Sequence, residues 1–95
     1  FMPWFIASLT LSLPGCHSLK EKRSILSPLL SRLKRHNLSV IEASHQDSWQ
    51  TAVLQIAKLG QSRAQLDRDL SLLLSSIEND FRDITLADVQ HELYF

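Results

Sequence analysis

FIASLTLSL, at residues 5–13, places an apolar side chain at every second position from Phe5 to Leu13. Successive side chains of a strand point to opposite faces of a sheet, so this period of two predicts a β-strand with one buried face. Pro14 and Gly15 come next, and this pair is typical of a turn. The first predicted element is therefore a half-buried strand that ends at the turn.

A helix is predicted directly after this turn. Ser18 and Glu21 have the spacing of a capping box, in which the serine hydroxyl accepts a hydrogen bond from the Glu21 amide. The leucines that follow share one helical stripe and lead to a cationic end; they are Leu19, Leu26, Leu29, Leu30 and Leu33, before Lys34, Arg35, His36 and Asn37. Pro28 either kinks this helix or begins a second one capped by Ser27. We favour one kinked helix, because the stripe continues through the proline.

Three more strands are predicted further along the chain. The segment 38–45 is centred on a β-branched pair, and the polar segment 46–48 connects it to the next strand. The segment 52–59 is apolar on both faces, which is typical of a central strand covered twice. The segment 84–93 forms the last strand, and Asp88 interrupts its alternation, which indicates a bulge.

A second helix is predicted between the last two strands. Ser62 and Gln65 repeat the capping-box spacing, and Gly60 ends the strand before them. An apolar stripe then runs from Leu66 to Ile77 at helical spacing, and Asn79 is the expected C-terminal cap.

The order β-α-β-β-α-β predicts an α+β fold of the ferredoxin-like, split β-α-β type. We expect a single domain over residues 1–95, with a four-stranded antiparallel sheet in the order 4-1-3-2 and both helices on one face. Strands one and two then end at the same edge of the sheet. The loop 14–18 and the turn 46–48 should therefore be neighbours in space.

Charge is distributed unevenly along the chain. Hydrophobic residues make up 44% of it, which suits a compact fold, and the formal net charge is zero. Residues 17–36 nevertheless carry six cations against one acid, a balance of +5, whereas residues 67–95 carry seven acids against two cations, a balance of −5. Any attraction to nucleic acid must therefore be local.

The sequence favours a cytoplasmic protein without a membrane partner. Cys16 stands alone, so it forms no internal disulfide. The apolar opening lacks the positive region of a signal peptide, and Pro14 stands where a lipoprotein cleavage site needs a small residue. No segment is long and apolar enough to span a bilayer.

Two segments carry a family resemblance: PGCHSLKEKR at residues 14–23 and HQDSWQ at residues 45–50. Both closely resemble the YlxP-like bacterial proteins, a family of unknown function, and the similarity covers nearly the whole chain. The resemblance implies a ferredoxin-like fold, a homodimer, and genes often encoded beside those for translation initiation and ribosome maturation. It implies no established reaction and no established catalytic residue.

A basic cluster is predicted at the start of the first helix. Lys20, Lys22 and Arg23 lie there beside His17, where helix amides already favour anions, and we expect them at the surface. The cluster either binds an RNA phosphate or is a solvated helix face. Trp4 and Trp49 start strands one and three. They either stack a base or are core plugs and dimer contacts, and the second interpretation is the more common one.

The edge-motif candidates are His17, Ser18, His45, Asp47 and Trp49. Two histidines and a carboxylate form a weak metal set, and His45 with Asp47 could equally hydrogen-bond the turn backbone. Cys16 beside His17 invites a nucleophile and base interpretation, but adjacent loop residues rarely face each other. We therefore expect no metal, cofactor or catalytic residue.

The leading hypothesis is a non-enzymatic homodimer that binds RNA or a ribosomal partner through the first helix. The homodimer follows from the third strand, whose second apolar face (Val53, Ala57, Leu59) needs a cover. One rival is a small ligand-binding protein or enzyme that uses His17, His45 and Asp47. The other is a purely structural dimer held by the opposite charges of the two helices.

Overall fold

A computed structural model describes residues 2–44 and 48–94 of the chain. Its elements are β1 (Trp4–Ser12), α1 (Leu19–Arg35), β2 (Ser39–Ser44), β3 (Thr51–Leu59), α2 (Arg63–Asp80) and β4 (Thr85–Tyr94). The bounds differ from the predicted ones by one or two residues. The order of the elements is the predicted one.

The sheet has the order β2-β3-β1-β4, which is the predicted order counted from the other edge. All three strand pairs are antiparallel, and the ferredoxin-like α+β fold is confirmed. The register of β1 on β4 shifts where Thr10 pairs with Asp88 and Leu11 pairs with Leu86. Ala87 is the extra residue, so the predicted bulge exists and lies directly beside Asp88.

Helix α1 begins where its capping box predicts. The Ser18 hydroxyl accepts from the Glu21 amide at 3.1 Å, and one continuous helix passes through Pro28. The alternative in which Ser27 caps a second helix is therefore wrong. His36 is the C-terminal cap of the helix, and Asn37 follows with a φ of 60°. Asparagine tolerates this left-handed conformation better than most residues do.

Helix α2 begins at the predicted cap, since the Ser62 hydroxyl accepts from the Gln65 amide at 3.2 Å. Its predicted end is wrong, because Asn79 lies inside the helix and Phe81 is the C-terminal cap. The cause is packing beyond the apolar stripe. Phe81 packs partly against the core, and the Arg32 guanidinium of α1 lies 4.8 Å from its ring centre. These contacts favour continuing the helix to Asp80.

The hydrophobic core lies between the two helices and one face of the sheet. Its largest fully buried side chains come from the two central strands and both helices; they include Phe5, Leu9, Leu11, Leu29, Leu33, Leu54, Ile56, Leu66 and Ile77. The alternating residues of β1 that predicted a half-buried strand are the ones buried here. In the part of the chain that the structure describes, no helix is long and apolar enough to cross a membrane.

Candidate nucleic-acid interface

The β1–α1 loop and the end of the β2–β3 connection meet at one edge of the sheet, as predicted. The Leu13 amide donates to the Gln50 carbonyl at 2.9 Å. The Gln50 side-chain amide in turn approaches the carbonyl oxygens of Pro14 and Cys16, at 3.4 Å each. The structure thus shows the predicted proximity for residues 48–50 of the connection. Gln46 and Asp47 lie outside the described residues.

Lys22 crosses this edge beneath the surface. Its ammonium donates to the Ser48 carbonyl at 2.8 Å and lies 3.3 Å from Oε2 of Glu42, and only 3% of the side chain is exposed. The prediction that Lys20, Lys22 and Arg23 all lie at the surface is therefore right for Lys20 and Arg23 and wrong for Lys22. Lys22 therefore ties helix α1 to β2 and to the connection that precedes β3.

Two sequence signals could have identified this ion pair. Lys22 lies three residues after Leu19 and four before Leu26, so it falls on the buried stripe of α1. Glu42 follows Leu38 and Val40 at every second position, so it shares their face of β2, which is the face towards the helices. A lysine and a glutamate on two facing apolar patterns predict a pair between them, because buried charges are normally paired.

The outer face of α1 keeps the remaining positive charge. Lys20, Arg23, Lys34 and Arg35 are exposed, and none of them has a hydrogen-bond or ion-pair partner among the residues described. Arg32 differs, because it pairs with Asp80 and Ser76 of α2. The Arg32–Asp80 ion pair therefore joins opposite charges of the two helices within one molecule.

An open groove of about 450 Å³ runs along α1 beside the edge strand β2. Arg23, Ser27, Ser31 and Lys34 are exposed polar residues along it, and leucines of the helix line it as well. Glu42 is the acid that lines the groove, and Lys22 holds it. The groove therefore presents hydrogen-bond donors with positive charge, a combination that suits an anionic ligand.

The other edge-motif candidates have different environments. Ser18 uses its hydroxyl as the helix cap, and His17 is exposed. Cys16 is fully buried, and its thiol donates to the Ser18 carbonyl at 3.2 Å. A buried thiol held by the backbone beside an exposed imidazole gives no support to a nucleophile and base pair.

The predicted metal alternative is not tested, because His45 and Asp47 lie outside the described residues. Over residues 2–44 and 48–94, no three histidine, cysteine or acidic side chains lie close enough together to hold a metal ion.

The sheet face opposite the helices is polar at its centre and apolar at one end. Ser8, Gln55 and Gln90 lie in register across its middle. Tyr94, Trp4 and Leu59 lie in register at the end, where the rings of Trp4 and Tyr94 stack with centres 4.3 Å apart. Leu59 is 65% exposed, while Val53 and Ala57 are half-buried.

Comparison with known proteins identifies the family of the chain and one similar protein. The family model "Protein of unknown function (DUF503)" matches residues 5–91, so the chain belongs to the DUF503 family. Within it, the chain is similar to the uncharacterized protein YlxP of Bacillus subtilis (strain 168). The two are 38% identical over 63 residues, which cover 65% of this chain and 68% of YlxP.

One similar structure supports the fold alone. The de novo designed protein Foldit4 superimposes with a TM-score of 0.56 at 9% sequence identity, covering 98% of this chain and 97% of its own. At this identity the likeness carries no functional information. The YlxP-like resemblance seen in the sequence is thus confirmed, and the family description names no activity.

Proposed function

We propose that this protein is a non-enzymatic binding module that binds the phosphate backbone of RNA along the outer face of α1. The carrying observation is the set of four exposed cations on that face without partners among the described residues, Lys20, Arg23, Lys34 and Arg35. This proposal implies a cytoplasmic location, because RNA is abundant there.

The length and chemistry of this face favour a phosphate backbone. Lys20 and Arg35 are 15 positions apart on one helix, a span of about 22 Å at 1.5 Å per residue. Arg23 and Lys34 lie between them on the groove, with serine hydroxyls in the same stretch. Phosphate oxygens are acceptors only, and a run of cations and hydroxyl donors matches them at several successive positions.

Charge reversal along the groove tests this proposal. Arg23→Glu combined with Lys34→Glu should weaken binding to structured ribosomal RNA fragments and reduce the salt dependence of the dissociation constant, because fewer counterions are released. Lys22 is left unchanged, since its reversal would disrupt the fold. The matched control is Arg68→Glu with Arg82→Glu, an equal charge change at exposed residues outside the groove.

The measurement is a fluorescence anisotropy titration at two salt concentrations. Wild type and control should bind alike, and the groove variant should bind at least tenfold more weakly at low salt. No binding by wild type at low salt, or equal binding by all three proteins, would remove RNA from the proposal.

We also propose that the module is a homodimer, on a separate observation. Large apolar side chains are exposed together at one end of the open sheet face, namely Trp4, Ile6, Leu59 and Tyr94. A contiguous apolar patch on a soluble protein marks an interaction surface, and twofold pairing of two copies covers such a patch most simply.

Two leucines of equal exposure provide the test. Leu59 on the open sheet face is 65% exposed and Leu72 on α2 is 64% exposed. Leu59→Asp should convert a dimer to a monomer in light scattering at micromolar concentration, and Leu72→Asp should leave the mass unchanged. A wild type that is monomeric at that concentration contradicts the homodimer.

A further inference from the structure

Trp49 presents a large aromatic surface directly after Ser48, whose carbonyl binds Lys22 in the first turns of α1. Half of the Trp49 residue is exposed, whereas Ser48 before it is mostly buried. Strand β3 begins two residues later. Indole rings are usually buried, because their apolar area is large. An indole held half in water is therefore a candidate contact surface.

The backbone on both sides of Trp49 is fixed. The Ser48 carbonyl is held by the buried ammonium of Lys22, and the Gln50 carbonyl accepts from the Leu13 amide. The Gln50 side chain is also directed at the β1–α1 loop, towards the carbonyls of Pro14 and Cys16. Because both neighbours are tethered, presenting the ring to a ligand costs little additional conformational entropy.

We propose that Trp49 stacks on an unpaired nucleobase, so that the RNA bound by α1 is single-stranded at this end of the site. The inference rests on the proposed function, and it names the RNA class that the same site prefers. The tethers tie Trp49 to the segment that leads into α1, whose first turns carry the exposed Lys20 and Arg23. Single-strand binders combine this arrangement of backbone cations with an aromatic stacking surface.

The position of Trp49 argues against a second copy of the chain as the occupant. Trp49 precedes β3, whereas Leu59 of the apolar patch ends it. At about 3.3 Å per residue, these two side chains lie roughly 30 Å apart along the strand. Trp49 is therefore not continuous with the apolar end of the open face. Its tethered neighbours are polar, which suits a base with a charged backbone better than an apolar partner.

The test compares single-stranded and duplex RNA of equal length. Trp49→Leu should weaken binding of the single strand about tenfold and leave duplex binding and the salt dependence unchanged, because stacking contributes little to counterion release. Trp49→Phe, which keeps a ring, should recover most of the affinity. In a Trp4→Phe background, Trp49 is the remaining tryptophan, so single-stranded RNA should quench its emission saturably.

The outcomes separate the inference from the proposed function. If Trp49→Leu keeps the single-strand affinity while Arg23→Glu with Lys34→Glu loses it, the stacking inference is wrong and backbone binding stands. An equal loss for single strand and duplex, or a change from dimer to monomer in Trp49→Leu, also overturns the inference. If wild-type protein binds neither RNA at low salt, the proposed function fails with it.

Discussion

Replacing Lys22 by methionine should destabilise the protein strongly, although lysines are usually surface residues. Methionine keeps the apolar stem, so the loss comes from the ammonium. That group makes a charged hydrogen bond to the Ser48 carbonyl, a contribution of about 1.5–3 kcal/mol. Its ion pair with Glu42, which is 29% exposed, adds at most about 1 kcal/mol. The expected loss is about 2–4 kcal/mol, somewhat below the usual cost of breaking a fully buried pair.

Urea unfolding followed by circular dichroism measures this loss as a shift in the midpoint at constant slope. In a domain of this size, the melting temperature should fall by roughly 10–25 °C. Lys20→Met is the control, because Lys20 is exposed on the same helix and should change stability by no more than about 0.5 kcal/mol. If Lys22→Met were as stable as the control, the buried ion pair would contribute nothing and the reasoning would be refuted.

Two more substitutions test the local structure by the same unfolding assay. Ser18→Ala should cost about 0.5–2 kcal/mol, the usual effect of a lost helix cap, whereas Ser27→Ala should be neutral; the reverse ranking would place the helix start at Ser27. Gly60→Ala should cost about 1–3 kcal/mol, because its new methyl group would lie 2.6 Å from the buried Leu66 side chain. Gly15→Ala, with nothing within 4 Å, should be neutral, and equal effects at both glycines would contradict this packing argument.

The fold was predictable because its signals are local and repeat along the chain. The alternation in residues 5–13 and the caps at Ser18 and Ser62 each mark one element without reference to the others. The order of the elements then leaves few topologies, and a short connection near residue 48 makes β2 and β3 neighbours. The predicted sheet order depends on these features and is confirmed.

The site was less predictable because its chemistry depends on pairs of residues distant in sequence. Lys22 falls on the buried stripe of α1, but its partner Glu42 is 20 positions away, so the pair follows only when the helix and strand patterns are considered together. The predicted end of α2 was wrong for a similar reason. Asn79 is a good local cap, but a tertiary contact between Arg32 and Phe81 extends the helix past it.

The six cations of residues 17–36 therefore fall into two groups. Lys22 and Arg32 hold α1 to β2 and to α2, and both contacts lie within the molecule. The other four remain on the outer face, two near the start of α1 and two near its end. Because the internal pairs fix the helix against the sheet, the backbone that carries the groove is in place before any ligand arrives. A ligand that binds there then loses little affinity to ordering the backbone.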